Sequence, residues 1–324
     1  MSVLVTGGAG YIGGHVVAAL QLRGESVVVV DDLSTGVPER VSGLPLVSCD
    51  LASDDAADQV EAVLREHEVH AVVHLAAKKQ VGESVERPAW YYRQNVGGLA
   101  NLLLGMESAG VSDLVFSSSA AVYGSGTGEP ARESDTPEPI NPYGETKLAG
   151  EWMVGGAVRA GWLRAVSLRY FNVAGAGSEL LADRFATNLI PIAFERLRAG
   201  EAPRVFGDDY PTPDGTCIRD YVHVADLADA HLAVLDALAA GGPVPAAVNV
   251  GTGTGYSVFE VLATIRDVTG IATPPIVGAR RPGDPATLIA DASRIGAELG
   301  WSARFGLREI IASAWDGFRA ARAA

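Results

Sequence analysis

Val3-Leu4-Val5-Thr6-Gly7-Gly8-Ala9-Gly10-Tyr11-Ile12-Gly13 decides the fold of this chain. A short apolar strand runs into glycines at 7, 10 and 13, and an apolar helical stretch follows to about Leu22. Glycines at those places allow a tight turn and let backbone N–H groups approach a phosphate, while the helix N-terminus adds a favourable dipole. A second β-rich run, Ser26 to Val30, ends at Asp31-Asp32, 18 residues after Gly13. A carboxylate there can accept from both adenosine ribose hydroxyls and repels a 2′-phosphate, so the expected cofactor is NAD rather than NADP. Arg40, the nearest following basic residue, is badly placed to rescue a 2′-phosphate.

Working outward, strand-like runs recur at residues 44–49, 71–76, 113–118 and 164–170, with helical stretches at 56–66, 89–109 and 143–160 between them. Such alternation predicts an α/β fold, a doubly wound parallel Rossmann sheet with helices on both faces. Ligands of these sheets bind beyond the carboxyl ends of the strands. The polar or special residues fall there: Gly7, Asp31, Asp50, Lys79, Ser117-Ser118-Ser119 and Asn172. After about Gly175 the pattern loosens, and Gly, Pro and Arg become frequent. The expected division is an NAD-binding domain over 1–175 and a smaller C-terminal substrate domain over 176–324, with part of 217–240 packing back on the sheet.

Lysine use marks a third feature. Of 25 Lys plus Arg only Lys78, Lys79 and Lys147 are lysines. Lys147 lies four residues after Tyr143, so the two share a helix face. An ammonium beside a phenol favours the phenolate, which predicts a tyrosine base with a lowered pKa.

The 324 residues carry a net charge of −14, which argues against nucleic-acid or anionic-membrane partners and leaves an anionic ligand to be met locally by arginines and helix ends. Cys49 and Cys217 show neither metal spacing nor a disulfide framework, so no metal site is expected and a reducing, cytoplasmic setting is. The N-terminus lacks a basic leader, and no apolar run reaches membrane-spanning length.

With the glycine turn, Asp31, the serine run and Tyr143-xxx-Lys147 in one order, the chain resembles the extended short-chain dehydrogenase/reductase family over essentially its whole length. Within it, Val81-Gly82-Glu83-Ser84, Ser117 to Gly124, Arg169-Tyr170-Phe171-Asn172, Phe206 to Thr212 and Arg219 to His223 are similar to the branch that epimerises nucleotide sugars. The resemblance implies a homodimeric isomerase that uses NAD to invert C4 of a UDP-sugar, UDP-glucose or UDP-galactose. It implies Ser119, Tyr143 and Lys147 as the catalytic residues. For the cofactor it implies Gly7, Gly10, Tyr11, Ile12 and Gly13 at the pyrophosphate, and Asp31 and Asp32 at the ribose. Asp50 and Leu51 would border the adenine, and Leu75, Ala76, Ala77, Lys79, Asn95, Ser117 and Tyr170 would line the remainder with Tyr143 and Lys147.

On the sugar-nucleotide side it implies Lys79, Ser119, Tyr143, Asn172, Asn188, Leu189, Val205, Phe206, Arg219, Arg281 and Asp284. Leu288 would face the sugar where relatives carry either a large aromatic or a small residue. Two other readings compete. A dehydratase or decarboxylase of the same family would carry an acidic residue after Ser119, where this chain has Ala120 and Ala121. A non-catalytic NAD sensor would have a damaged catalytic set. His74 and His223 are expected to be structural.

Overall fold

The computed structural model describes residues 1–320 except 127, 186, 187 and 282. Its thirteen strands are β1 Ser2–Thr6, β2 Ser26–Asp31, β3 Leu46–Ser48, β4 Ala71–His74, β5 Asp113–Ser117, β6 Arg164–Tyr170, β7 Asn172–Ala174, β8 Arg204–Phe206, β9 Ile218–His223, β10 Ala247–Val250, β11 Gly255–Ser257, β12 Ile276–Gly278 and β13 Thr287–Leu288. The helices are α1 Tyr11–Leu22, α2 Ala56–Glu66, α3 Val81–Glu86, α4 Pro88–Tyr91, α5 Gly98–Ala109, α6 Pro142–Arg159, α7 Leu189–Arg198, α8 Val224–Ala239, α9 Val258–Thr269, α10 Ser293–Leu299 and α11 Leu307–Ala320.

Seven strands form one parallel sheet in the order β10-β6-β5-β4-β1-β2-β3. Their continuous apolar sequences fit burial on both faces. One face is covered by α1 and α8, whose Val16, Val17, Leu20, Leu227, Leu235 and Leu238 join Val5 and Val29 in one core cluster. The other carries α2, α5 and α6, with Val60, Leu64, Leu102, Met106 and Val154 against Leu4, Val72 and Leu114. All seven strands are parallel, but the order in which the chain adds them turns back between β1 and β4, and in such sheets the ligand crevice lies there, beyond the carboxyl ends.

A smaller sheet, β11-β9-β13 with β7 paired to β9, and the pair β8–β12 stand apart from the large sheet. Their core is Tyr221 and Val205 against α7, α9 and α11. The chain does not stay there. α8 returns to the large sheet and β10 becomes its edge strand, paired with β6 from Ala247↔Ser167 to Val250↔Tyr170.

One expected element is different. The single helix expected over 89–109 is α4, then a π-helical stretch Tyr92–Gly97, then α5. A π turn accommodates one residue more per turn and is often found where a side chain has a special task. Here the stretch contains the buried Asn95.

Candidate active site

The glycine turn joins β1 to α1 with Gly7 at φ +69°, a left-handed conformation that favours glycine. A Cβ on Gly13 would lie 2.1 Å from the Gly7 carbonyl oxygen, so α1 approaches the turn too closely for any side chain. The first amides of a helix have no intrahelical acceptor, and α1 starts at Tyr11, so Tyr11 and Ile12 present N–H groups at the crevice. Next in the sheet, Asp31 ends β2 at 5% exposure. Its carboxylate accepts from Ala9 N at 3.0 Å and Leu33 N at 2.9 Å. Burial raises its pKa, against the pull of those two amides. Leu33 sits at φ +56°, a strained conformation that keeps its amide on Asp31.

Asp32 is held differently. Lys78 Nζ lies 2.6 Å from its Oδ2, and the Ser34 amide and hydroxyl donate at 3.0 and 2.7 Å. Burial pushes Asp32 up, but the bonds from Lys78 and Ser34 outweigh it and leave the pKa below its ordinary value. Lys78 thus stands beside the strand-end carboxylates Asp31 and Asp32, a place the sequence assigns to its neighbour Lys79. The signal was the lysine pair itself in an arginine-rich chain.

Asn95 fixes the same segment. Its Oδ1 accepts from Lys78 N at 2.8 Å, and its Nδ2 donates to Lys78 O and Thr146 Oγ1, both at 3.0 Å. Tyr91, fully buried, accepts from Gln80 N and donates to Gln80 O. The residues from Leu75 to Gln80 are thus gripped from behind. Asp50 caps its own loop through Ala52 N at 2.9 Å, and Leu51 is buried beside it. Glycines that leave no room for a Cβ, two presented helix amides and a carboxylate at the next strand end together fit a dinucleotide.

The candidate catalytic residues come from β5 and α6. Asn141 N-caps α6 by accepting from Gly144 N at 2.9 Å, and Pro142 occupies the first helical position. This start places Tyr143 and Lys147 on the inner face, both buried. A Cβ on Gly144 would meet Ala121 O at 2.6 Å, so a glycine there lets the helix close on the loop after β5. In that loop Ser119 Oγ accepts from Ala121 N at 3.1 Å, and its hydroxyl is near enough to Tyr143 to pull the phenol's pKa down. Lys147 Nζ donates to Ser117 O at 2.8 Å and lies 5.4 Å from the Phe116 ring centroid.

The expected low tyrosine pKa is corrected here. Burial raises the pKa of Tyr143, and only the neighbouring Ser119 hydroxyl opposes it. The Lys147 ammonium is turned to the Ser117 carbonyl, and its own pKa falls to about 8 by burial. Desolvation outweighs the pairing that the i, i+4 spacing suggests.

Ser117 is committed behind the site. Its hydroxyl is 3.1 Å from His231 Nε2, and His231 Nδ1 lies 2.8 Å from Leu227 O. The proton on Nδ1 leaves Nε2 to accept from Ser117. Burial raises the pKa of Tyr170, against a smaller pull from the nearby Ser117 hydroxyl. Ser118 donates to Glu151 Oε1 at 2.5 Å, and Glu151 forms a buried ion pair with Arg169 at 2.6 Å. His74 is buried and neutral, held at 2.7 Å from Thr6 Oγ1, with burial first and Lys147 second lowering its pKa to about 3.

The residues expected on the sugar-nucleotide side fall into two groups. Phe206 ends β8 at 37% exposure, with the Arg281 guanidinium 4.6 Å from its ring centroid. Asp284 lies 3.1 Å from Arg281 and 3.8 Å from Arg219. Arg280, which the sequence reading omits, pairs with Asp209 at 2.6 Å and lies over the Tyr210 ring at 4.2 Å. Leu288 is paired in register with Arg219 and packs on the cluster of Ala120, Tyr123 and Phe171 next to Ser119. Asn172 is exposed at the start of β7, and Asn188 precedes α7 without a side-chain capping bond. Leu189 opens that helix, whereas Val205 is buried in the core under it.

Residues 3–251 match the model of the NAD dependent epimerase/dehydratase family. The chain belongs to that family. Among curated relatives, a UDP-glucose 4-epimerase from Azospirillum brasilense is 48% identical over 92% of this chain and 86% of its own length. A crystal structure of UDP-glucose-4-epimerase from Stenotrophomonas maltophila, with bound NAD and formylated UDP-arabinopyranose, superposes with TM-score 0.93 at 39% identity over 100% of both chains. One from Brucella ovis, in complex with NAD, superposes with TM-score 0.90 at 41% identity over 98% of both.

Proposed function

We propose that this protein interconverts UDP-glucose and UDP-galactose by NAD-dependent epimerisation through a transient 4-keto sugar. The observation that carries the reading is Tyr143 buried beside Ser119, with the buried Lys147 one helical turn on, at the strand ends that form the dinucleotide cradle. Tyr143 is the group that takes the proton from the sugar 4-OH and gives it back, with Ser119 bridging. Lys147 supplies the nearby ammonium. When bound, NAD supplies the hydride acceptor and a positive charge on its oxidised ring. A cation added to so dry a site favours the phenolate, which offsets the burial that holds Tyr143 as a phenol. No carboxylate follows Ser119, where Ala120 is buried, and this disfavours a dehydratase. The nucleotide is anchored by Phe206, Arg219 and Arg281, leaving the hexose free to present its other face, while Asn172, Asn188 and Leu189 border it. The test is incubation of the purified protein with UDP-glucose and no added nucleotide. UDP-galactose should form; formation of a 4-keto-6-deoxy sugar instead would replace this reading with a dehydratase.

The exposed side chains of Leu104 on α5, at 54%, and Trp152 on α6, at 67%, favour a further part of the proposal, that two copies pair through these helices. A dimer mass by light scattering at micromolar concentration is expected; a monomer mass would end it. We also read the chain as a Rossmann domain over 1–175 and a substrate domain over 176–324, working in the cytoplasm, where the free buried thiols of Cys49 and Cys217 persist. Among the described residues no helix is long and apolar enough to cross a membrane.

A further inference from the structure

Arg40 lies in a short 3₁₀ turn, Pro38–Val41, that follows β2, and it is buried. Its guanidinium is met by backbone carbonyls. Nε donates to Leu180 O at 3.2 Å, Nη2 to Ala182 O at 2.6 Å, and Nη1 reaches Ala9 O, inside the glycine turn, at 3.4 Å. Charged donors make stronger bonds than neutral ones, and desolvated ones are costly to leave unpaired. The segment 175–183 that Arg40 grips is tied down at several points along its course. Tyr11 Oη donates to Gly175 O at 2.6 Å. Gly177 N donates to His15 Nε2 at 2.8 Å. Leu181 packs so closely on Gly14 that a Cβ there would lie 3.0 Å from its methyl group.

The course of this segment follows from the sheet order, in which β1 lies between β4 and β2. Arg40 follows β2, Lys79 follows β4, and the glycine turn follows β1. Asp183, one residue past the Arg40 anchor at Ala182, is electrostatically coupled to both Lys79 and Arg40. The segment therefore passes across the end of β1, over the turn that presents the Tyr11 and Ile12 amides.

We propose that residues 175–183 form a strap over the pyrophosphate cradle and that Arg40 is its clasp, controlling how fast NAD enters and leaves. This rests on the reading of the crevice as a dinucleotide site. A cofactor that ends each turnover in its starting state has no need to leave, so a closed strap is compatible with turnover. The clasp sets a rate of exchange, as lids do. A gate slows entry as well as exit, whereas a direct contact to the cofactor slows exit alone.

The test measures exchange of bound NAD against excess labelled NAD, rebinding of NAD to protein stripped of nucleotide, and hydrogen exchange at residues 176–182. Arg40→Met should speed dissociation by about tenfold or more, since both charged bonds that hold the strap are lost, and should speed association too. Tyr11→Phe, which frees only the Gly175 end, should do the same to a smaller degree, and it decides the matter if Arg40→Met does not fold. Faster hydrogen exchange in the strap with unchanged NAD exchange would overturn the proposal. Faster dissociation with slower association would also overturn it, showing Arg40 to act as a charge on the pyrophosphate. Wild-type protein that neither carries nor binds NAD would instead overturn the cofactor reading beneath it.

Discussion

The two halves of the crevice are built on opposite plans. On the cofactor side the polar groups are buried and already bonded to one another: Asp31 to Ala9 and Leu33, Asn95 to Lys78 and Thr146, Lys147 to Ser117. On the sugar-nucleotide side the groups are looser: Phe206 and Arg281 are exposed and lie against each other, and the half-buried Asp284 is shared by Arg219 and Arg281. Preformed buried networks hold one geometry at low reorganisation cost. Exposed ion pairs contribute little to stability and exchange partners readily. The contrast suits a cofactor that stays and a substrate that must arrive, turn and leave.

That contrast breaks most visibly at Tyr143. Tyr143→Phe keeps the ring but removes the hydroxyl assigned above to proton transfer, so kcat should fall at least about a hundredfold, with bound NAD retained. Near-normal turnover would remove Tyr143 from the chemistry. On the other side, Arg281→Ala should raise KM for UDP-glucose by about tenfold, the worth of one charge-assisted pair, and change kcat much less. A fall in kcat without a change in KM would mean the exposed half does more than anchor. Leu288 sits at the join between the halves. Leu288→Ser removes bulk that costs about 1–3 kcal/mol when it clashes, so it should raise activity on UDP-N-acetylglucosamine selectively, by roughly tenfold. Equal wild-type rates on both sugars would show that another residue shapes that wall.

The smallest effect concerns buried histidines. Burial lowers His15 to about 4, His74 to about 3 and His231 to about 4. Each is neutral when folded and takes up a proton on unfolding below its ordinary pKa, so stability should fall as pH drops from about 6.5 toward 4. His231→Gln should lower the acid-side slope of urea stability by about one proton. An unchanged slope would mean that His231 titrates normally in the fold.

Much of the committed half was legible in the sequence, because its features are local. The glycine turn, Asp31 at a strand end and the Tyr143–Lys147 spacing all repeat at fixed offsets. What was not legible depends on contacts far apart in the chain. Lys78 reaches Asp32 across 46 residues, and Arg40 reaches Ala182 across 142. The edge strand β10, Ala-Val-Asn-Val, is too short to show a period, so the sequence reading finds six of the seven strands. The i, i+4 spacing of Tyr143 and Lys147 reports a neighbouring charge and carries no information on desolvation, which here raises the tyrosine pKa. On the exposed half, Phe206, Arg219, Arg281 and Asp284 were legible only by resemblance, since isolated surface arginines and aromatics have no pattern of their own.

The central claim is that one retained cofactor inverts C4 of a UDP-hexose without help from solvent. It is tested most directly with UDP-glucose deuterated at C4, incubated with the protein as isolated and followed by NMR. UDP-galactose that keeps its deuterium at C4 is the expected result. Loss of the label to solvent, or no UDP-galactose at all, would contradict the account.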